Sequence, residues 1–440
     1  MNQNQTGIPD ESFGKSGVVS VPFSGVPGLP NAVLALNNPT KQILVAVGRW
    51  GRREQARLVR LNEDGSPDLA FGPDGAIEIP FEWGVWFYPT GLSRLEDGGW
   101  FITGITVDDR HMGTFLTVVR QDRNGQMVTS FGNGGKVIID VKKLVEDHYG
   151  RQVELTGRPL DEKKEEDLSS RIGSIDVSAV FQDGKIVATT SIALRANEVQ
   201  GVVLYLNADG SLDKSFNGIG FTLVDVPGIT YKRNWATASV IQARTGKVLV
   251  CGRFVRDVGG RLSEAFVMRF NQNGTVDSTF NDGRGLVSLG GNGQHELLAM
   301  MLKPDDGVVA IGNGNGEGLL ASLTPEGVFN QVFNRGQPLY SNFEGMGVSW
   351  NHCSLQADGI KLVVSGQGDH DSIVIARLLA DGELDTDFGG KGWVAIQRNQ
   401  GSGFYRGGSL MEDKRIVVCS EIMVEGGEGE SIGAVIRYVG

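Results

Sequence analysis

The sequence has few cysteines, few prolines and no long apolar run. Its three cysteines form no disulfide framework and no metal-ligand spacing. Fourteen prolines against 64 glycines exclude a proline-rich or collagen-like chain and indicate many tight turns. No run of 18 apolar residues occurs, and residues 1–11 contain no basic region followed by an apolar stretch. We therefore expect no membrane span and no cleaved signal. The cytoplasm is the default location, and export by a signal-independent route stays open.

Positive charge is also scarce. The chain has 41 Lys and Arg residues against 52 Asp and Glu residues, which gives a formal net charge of −11. This balance argues against attraction to phosphate backbones or anionic membranes. Because 40% of the residues are hydrophobic, the chain can bury a substantial core. We expect a turn-rich globular protein whose partners are neither nucleic acids nor membranes.

One segment recurs along the chain: an apolar strand, a turn centred on Asp-Gly or Asn-Gly, and a short stretch that ends in Phe. One copy reads Leu204-Tyr-Leu-Asn-Ala-Asp-Gly-Ser-Leu-Asp-Lys-Ser-Phe216. The anchoring aromatic residues, 53 to 85 positions apart, are Phe13, Phe71, Phe131, Phe216, Phe280, Phe333 and Phe388. Seven units of this kind account for the 440 residues.

Each unit contains four short segments rich in Val, Ile and Leu, bounded by Gly, Asn and Asp, which is typical of strands. In the first unit these segments are residues 32–36, 43–47, 56–61 and 76–80. Their near-continuous apolar character fits sheets that are buried on both faces. No helical pattern of comparable strength occurs. The sequence thus predicts an all-β fold: one seven-bladed β-propeller of four-stranded antiparallel blades, spanning residues 1–440 as a single domain.

The two ends of the chain complement each other. The last unit has three strand segments, at 409–411, 416–419 and 434–439, whereas the chain begins with an isolated strand segment at 18–21. We predict that this N-terminal strand joins the C-terminal blade and closes the ring. Closure would remove two open sheet edges, which otherwise expose unpaired backbone groups.

The recurring pattern Asp-Gly-Ser-Leu-Asp-x-Ser-Phe, followed by Gly-Lys-Val and later by Gly-Lys-Ile-Val, resembles the bacterial delta-60 repeat along essentially the whole chain. The pattern departs from the family at 124–132, where Val128 replaces the usual Asp, and at 326–334. The resemblance implies a β-propeller and a bacterial source. It implies no particular activity.

Several chemically reactive residue types recur at equivalent positions, which is typical of scaffolding. Cys251 and Cys419 align with small residues of other units, and we interpret them and Cys353 as core residues. Third strands carry Arg, and the turns that follow carry Asp, which predicts buried ion pairs. These residues are Arg60, Arg120, Arg269, Arg377 and Arg437, with Asp10, Asp68, Asp213, Asp277 and Asp385. The spacing leaves open whether each pair lies within a unit or between units.

No motif predicts a catalytic residue, a metal or a cofactor. Asp-Gly turns such as 207–213 resemble part of a calcium loop, but the Glu required at its twelfth position is missing. The five histidines share no zinc-ligand spacing. Asp369, His370 and Asp371 form the best polar cluster. They would bind a metal or act as an acid/base pair, although a solvated loop is the interpretation we favour.

The connections between strands two and three, and between consecutive units, differ in every unit and share one face. Variable loops on a rigid scaffold are the usual place for binding sites. Aromatic residues there would stack on sugars or anchor a protein partner. The predicted binding residues are Trp50, Trp83, Trp86, Tyr88, Tyr231, Trp235, Trp350, Phe404, Tyr405 and Arg406.

One connection is longer than the others. Residues 141–172 include a stretch at 142–147 that would form a short helix and the charged run 161–167. We interpret this segment as a charged insertion between blades on the variable face. It would be a solvated flap or a partially disordered loop, and the alternative is a lid or a partner-docking arm.

These observations favour a non-enzymatic binding propeller that recognises a protein or peptide through its variable, aromatic-rich face. The first alternative is a carbohydrate-binding propeller that uses the same rings. The second is a hydrolase or lyase with a site at the channel mouth, around Asp369, His370 and Asp371.

Overall fold

The computed structural model describes residues 6–23, 26, 28–48, 54–109, 113–150, 154–155, 178–195, 198–256, 262–396, 403–423 and 431–440. These residues form strands, turns, one α-helix, α1 (Val141–Tyr149), and short 3₁₀ turns such as Pro73–Gly75 and Phe333–Gly336. None of the helices in these ranges is long and apolar enough to cross a bilayer.

The strands are short and evenly distributed along the chain. In chain order they are β1 (Val18–Val21), β2 (Leu29–Ala35), β3 (Ile43–Gly48), β4 (Arg57–Leu61), β5 (Ala76–Glu78), β6 (Val85–Arg94), β7 (Trp100–Asp108), β8 (Gly113–Gln121), β9 (Lys136–Ile139), β10 (Glu154–Leu155), β11 (Ser178–Gln182), β12 (Lys185–Arg195), β13 (Glu198–Asn207), β14 (Phe221–Leu223), β15 (Arg233–Ile241), β16 (Val248–Val255), β17 (Ser263–Phe270), β18 (Leu286–Leu289), β19 (His295–Leu302), β20 (Val308–Gly314), β21 (Glu317–Leu323), β22 (Leu339–Ser341), β23 (Val348–Leu355), β24 (Leu362–Gly368), β25 (Ile373–Leu378), β26 (Trp393–Ile396), β27 (Gly403–Leu410), β28 (Ile416–Met423) and β29 (Ser431–Tyr438).

Within the described ranges the strands form mostly four-stranded antiparallel sheets in a β-propeller-like arrangement. Group A contains β2–β5, group B β6–β9, group E β19–β22 and group F β23–β26. Groups C (β11–β14) and D (β15–β18) belong to one larger sheet, where a single parallel pairing of Val199 with Arg233 connects them and β10 adds to β12. Group G contains β27, β28, β29 and the N-terminal β1, in that order.

The predicted strand segments correspond to observed strands, but the first strand of a group begins earlier than predicted. Residues 32–36 were expected where β2 covers Leu29–Ala35, and 409–411 where β27 covers Gly403–Leu410. A β-bulge in the first strand of groups A, B, D, E, F and G explains the difference. The extra residue interrupts the alternation of side chains, so the pattern reveals only the half that follows the bulge.

Glycine is required in the second strand opposite four of these bulges. At Gly104, Gly252, Gly312 and Gly366 an added Cβ would lie 1.8–2.1 Å from a carbonyl oxygen of the first strand. No side chain fits at such a distance. The bulge and the glycine therefore form one local motif, repeated from group to group.

Apolar side chains fill the space between consecutive groups, which explains why strands such as β3 are buried at every position. One cluster, including Val33, Val45 and Val435, lies between groups G and A. Further clusters lie between A and B, B and C, C and D, D and E, E and F, and F and G. A sheet that packs on both sides in this way reads as a continuous hydrophobic run.

The recurring Arg and Asp residues pair within a group, which answers the question that the spacing left open. Arg60 donates to Asp68 at 2.7 Å, Arg269 to Asp277 at 2.7 Å and Arg377 to Asp385 at 2.6 Å. The same Arg side chains reach into the next group, where Arg60 donates to the carbonyl of Arg123 and Arg269 to that of Pro325. Each guanidinium also lies over the anchoring Phe of its own group.

Two units lack one partner of the pair. In group C, Tyr205 replaces Arg, and Asp213 keeps only the Lys185 contact at 2.6 Å, which Lys247 and Lys361 also make in groups D and F. In group B, Val128 replaces Asp, and Arg120 contacts Asp97 at 2.9 Å. The interpretation of these residues as scaffolding is thereby confirmed. The three cysteines are buried, as expected for small core residues.

The anchoring Phe residues connect consecutive groups. Six of the seven rings pack against the glycine of the next Asp-Gly-type turn, as Phe280 does against Gly327. In six cases the residue after Phe donates a backbone hydrogen bond of 2.7–2.9 Å to the carbonyl that precedes that glycine. The donors are Gly14, Gly132, Asn217, Asn281, Asn334 and Gly389. The last of these bonds reaches Thr6, in the N-terminal segment.

The two ends of the chain share one sheet, as predicted for 18–21. Val18–Val21 pairs antiparallel with β29, with Val18 opposite Ile436. The preceding residues replace the turn that other groups have between their third and fourth strands: Asp10 donates its backbone N–H to the carbonyl of Arg437, and Gly7 to that of Val439.

The predicted short helix is confirmed as α1 between groups B and C. Asp140 caps its N-terminus by accepting from the Lys143 N–H at 2.9 Å, and Gly150 ends it in a left-handed conformation. Val141 and Val145 are buried against the core between the two groups. The charged run 161–167 lies outside the described residues.

Candidate functional site

Strand direction alternates within each group. Connections between consecutive groups therefore emerge on the same side as the turns between second and third strands. We call this side the variable face, and the described connections on it include residues 79–84, 224–232, 290–294, 342–347 and 369–372. The stereotyped turns, with Leu69 and Val332, lie on the opposite side.

Trp83 is the most exposed aromatic residue among the described residues of the variable face. It lies in the connection from group A to group B, and 85% of it is exposed to solvent. The loop around it is held in place, because Phe81 stacks on Phe87 at a centroid distance of 5.1 Å. Lys136 also donates to the carbonyl of Pro80 at 2.8 Å and lies over the Phe81 ring. A fixed loop thus presents a solvated indole.

Trp86 and Tyr88 do not lie in a loop, contrary to the prediction. Both belong to β6 and are buried. The Trp86 indole N–H donates to Asp109 Oδ2 at 2.9 Å, which connects the first strand of group B to the end of its second strand. The bulge between Pro89 and Gly91 hid the beginning of this strand from the sequence pattern.

Trp350 also lies in a strand, β23, and is fully buried. Its ring packs edge-on against Phe343 at 5.8 Å, in the core between groups E and F. An added Cβ at Gly318 would lie 2.2 Å from the indole nitrogen, so the glycine makes room for the ring. The expectation of an exposed ring was wrong here because the strand begins before its bulge.

Trp235 belongs to β15 rather than to a loop and is half-buried. Arg253 lies 4.5 Å from its ring centroid and also forms an ion pair of 2.9 Å with Glu296 of group E. Arg233 lies over the same ring at 5.8 Å. Two guanidinium groups thus contact this indole.

Phe404, Tyr405 and Arg406 belong to β27, again a strand in place of a predicted loop. The hydroxyl of Tyr405 shares a hydrogen bond of 2.8 Å with Ser365 of group F, and burial raises the pKa of Tyr405 well above its usual value. Arg406 forms an ion pair with Glu421. These side chains connect strands to one another.

Tyr231 lies in a connection, as predicted, between groups C and D. Its hydroxyl donates to Asp225 and accepts from Gln200, and burial raises its pKa. Trp50 and His111 lie outside the described residues. The remaining predicted binding residues belong to groups B, D, F and G and to the connections before B and D, so the fold does not gather them into one set.

The cluster at 369–371 is a turn. Asp369 accepts a hydrogen bond of 2.7 Å from the backbone N–H of Gly347, which connects two loops. His370 and Asp371 are exposed and have left-handed backbone conformations. Among the described residues, no group of three or more metal-ligating side chains occurs.

A different histidine is half-buried in a first strand. His352 of β23 shares a hydrogen bond of 2.8 Å with Ser354, and burial lowers its pKa to about 4. Burial likewise raises the pKa of Cys353 and Cys419. These thiols are therefore protonated core groups, without the lowered pKa of a nucleophile.

An open cleft of about 590 Å³, which the sequence pattern does not predict, lies along the outer strands of groups D and E. Its walls include Ser288 and Leu289 of β18, His295 at the start of β19 and Tyr340 of β22. The glycine-rich connection 290–294 was the one available signal. Glycines of this kind let the backbone pass close to another group, but they do not identify that group.

Four segments match the family model described as "Domain of unknown function (DUF5122) beta-propeller": residues 41–71, 182–216, 244–280 and 356–388. Each segment ends at an anchoring Phe. The matches support a β-propeller family for this chain and cover less than half of it. A search of curated protein sequences finds no match.

Several solved structures are similar in outline. The periplasmic gluconolactonase of Pseudomonas aeruginosa is 15% identical, with 90% of this chain and 95% of that chain covered and a TM-score of 0.47. A putative 6-phosphogluconolactonase from Bacteroides uniformis is 12% identical, with 89% and 94% covered and a TM-score of 0.42. A protein of unknown function from Dyadobacter fermentans is 13% identical, with 96% and 99% covered and a TM-score of 0.40. These likenesses carry no argument about function.

Proposed function

We propose that groups A to G are the seven blades of one β-propeller, closed into a ring by β1. Two observations support closure. A hydrophobic cluster lies between G and A as it does between the other neighbours. The Phe-to-turn hydrogen bonds also continue through both ends of the chain, from Gly389 to Thr6 and from Gly14 to Asp64. A ring leaves its blades little freedom to separate, which suits a rigid platform.

The platform binds a protein or peptide partner through its variable face and catalyses no reaction. The observation that carries this proposal is Trp83, which is 85% exposed on a loop fixed by Phe81 and Lys136. A rigid, solvated indole is the typical anchor of an interface, where its burial stabilises a complex by about 2–4 kcal/mol. Little conformational entropy is lost, since the loop is already ordered.

Charge favours a basic partner. With a formal net charge of −11, the chain attracts cationic segments and repels acidic ones during encounter. The insertion at 141–172 lies in the chain between groups B and C and contains the charged run 161–167. We propose that this insertion forms part of the docking surface.

Selection from a peptide-display library tests the proposal. Peptides are selected on the folded protein, and the enriched ones are then offered to Trp83→Ala and to Leu69→Ala. Leu69 is the matched control because it is 73% exposed on the opposite side. We expect basic peptides that bind the Leu69 variant and not the Trp83 variant. Peptides that bind all three proteins equally would contradict the assignment of the face.

A further inference from the structure

The cleft between groups D and E contains a buried histidine with an unpartnered nitrogen. His295 is only 4% exposed, and its backbone N–H donates to Ser263 Oγ at 3.0 Å. Its Nδ1 is buried and has no hydrogen-bond partner in the described chain. Burial lowers the pKa of His295, so the ring is held neutral. A buried polar atom without a partner is costly, so this nitrogen needs a physical explanation.

Two glycines make room for the rings of this cleft. An added Cβ at Gly290 would lie 2.8 Å from His295 Nδ1. At Gly314 it would lie 2.6 Å from the Tyr340 ring and 2.9 Å from the His295 ring. His295 packs edge-on against Tyr340, with centroids 5.9 Å apart. Backbone and histidine therefore fix the tyrosine ring.

Tyr340 is the exposed wall of the cleft. It lies on β22, the outer strand of group E, and 41% of it is accessible to solvent. Together with Leu289 and Pro338 it supplies an apolar surface within an otherwise polar cleft. A fixed ring with one open side is a stacking platform.

Planar polar side chains line the rest of the cleft. Asn292, Glu317 and Gln337 have no side-chain hydrogen bond within the described residues, so their donors and acceptors are available. The Asn315 side chain stabilises the wall of the cleft. Its Oδ1 accepts a hydrogen bond from the Gln294 N–H at 2.8 Å, which holds the connection 290–294 in place.

Charge restricts the class of ligand. Glu317 is the charged residue of the lining, and the nearby Glu264 is neutralised by Arg256 at 2.7 Å while it accepts from Ser288 at 2.8 Å. No cation among the lining residues would pair with a phosphate or carboxylate. A purely apolar ligand would leave the amides and the carboxylate unpaired. An uncharged molecule with an apolar face and several hydroxyls satisfies both conditions.

We propose that this cleft is a binding site for a neutral carbohydrate, which stacks on Tyr340 and donates and accepts hydrogen bonds with Asn292, Glu317 and Gln337, while His295 supports the Tyr340 ring from behind. The site goes beyond the proposed partner binding and is independent of it. Tyr340 lies on β22 of group E, whereas Trp83 lies in the connection between groups A and B.

A glycan array of neutral, sialylated and sulfated glycans tests the site, with the wild-type protein beside Tyr340→Ala, Tyr340→Phe, Asn292→Ala and Trp83→Ala. We expect neutral glycans to bind. By calorimetry with the best-bound glycan, affinity falls about tenfold or more in the Tyr340→Ala and Asn292→Ala variants. It stays within about threefold in Tyr340→Phe, which keeps the ring. Asn292 is exposed, so its variant remains informative if Tyr340→Ala folds poorly.

Three results would overturn the proposal: an array without neutral binders, binding confined to charged glycans, or undiminished binding by Tyr340→Ala and Asn292→Ala. Loss of glycan binding in Trp83→Ala would also overturn it, because the sugar would then lie on the indole. Peptide binding that survives in Tyr340→Ala but not in Trp83→Ala separates the two proposals.

Discussion

Arg437 and Asp10 are 427 residues apart in the sequence and form a buried ion pair, with Arg437 Nε donating to Asp10 Oδ2 at 2.8 Å. The Arg437 side chain is fully buried, lies over the Phe13 ring and donates to the carbonyl of Glu63 in group A. One side chain thus connects the C-terminal strand, the N-terminal segment and the first sheet. Arg269 and Asp277 form the equivalent ion pair within group D. In group G the same ion pair joins the two ends of the chain.

Arg437→Met should destabilise the protein by about 3–5 kcal/mol, because it leaves the Asp10 carboxylate buried with a weaker partner. Urea unfolding measures the change. The matched control is Lys143→Met, which breaks the exposed Lys143–Asp147 pair on α1 and should cost less than about 1 kcal/mol. Equal effects of the two substitutions would argue against the importance of the link between the chain ends.

Gly252→Ala should destabilise by about 3 kcal/mol, since the new Cβ would lie 1.8 Å from the carbonyl oxygen of Trp235 and the bulge would have to rearrange. Gly407→Ala is the matched control. It lies within a strand of group G, and its Cβ would meet its nearest neighbours at 3.6 Å, an ordinary contact. Thermal unfolding should separate the two variants clearly, and a Gly252 variant as stable as the Gly407 variant would refute the bulge–glycine motif.

The scaffold was predictable because the same physical requirement recurs in each unit. A turn glycine, a Phe and an Arg–Asp pair recur together in the units. The presence of Phe71 in the first unit therefore predicts the roles of Arg60 and Asp68. The observed departures, at Tyr205 and Val128, were visible as changes of residue type. The remaining ion-pair partners, Lys185 and Asp97, were not, because Lys185 begins the second strand of its group and Asp97 lies in the turn before the second strand.

The site was much less predictable. Trp350 and Trp86 appeared to lie in loops because a bulge breaks the alternation that identifies a strand. The cleft depends on how group E packs on group D, which brings Gly290, Gly314 and Tyr340 together. The hydrophobic periodicity of a single segment contains no information about how two groups pack on each other.

His352 should make stability depend on pH between about 6.5 and 4. Its pKa in the folded protein is about 4 against a reference of 6.5, so the unfolded chain binds the proton more tightly. The neutral ring stabilises the fold fully above pH 6.5, and this contribution of about 3 kcal/mol is lost as the pH falls toward 4. Urea unfolding across this window should be flatter for His352→Gln than for the wild type. Parallel profiles would show that the histidine is not the titrating group.

The most direct test of the binding proposal is calorimetry of one selected basic peptide against three proteins: the wild type, Trp83→Ala and Leu69→Ala. The account predicts that Trp83→Ala weakens the affinity by about 30-fold or more, as expected for loss of a buried indole anchor. It predicts an unchanged affinity for Leu69→Ala and unchanged melting temperatures for both variants. An affinity that Trp83→Ala leaves intact, or that Leu69→Ala abolishes, would contradict the proposal that the variable face is the binding face.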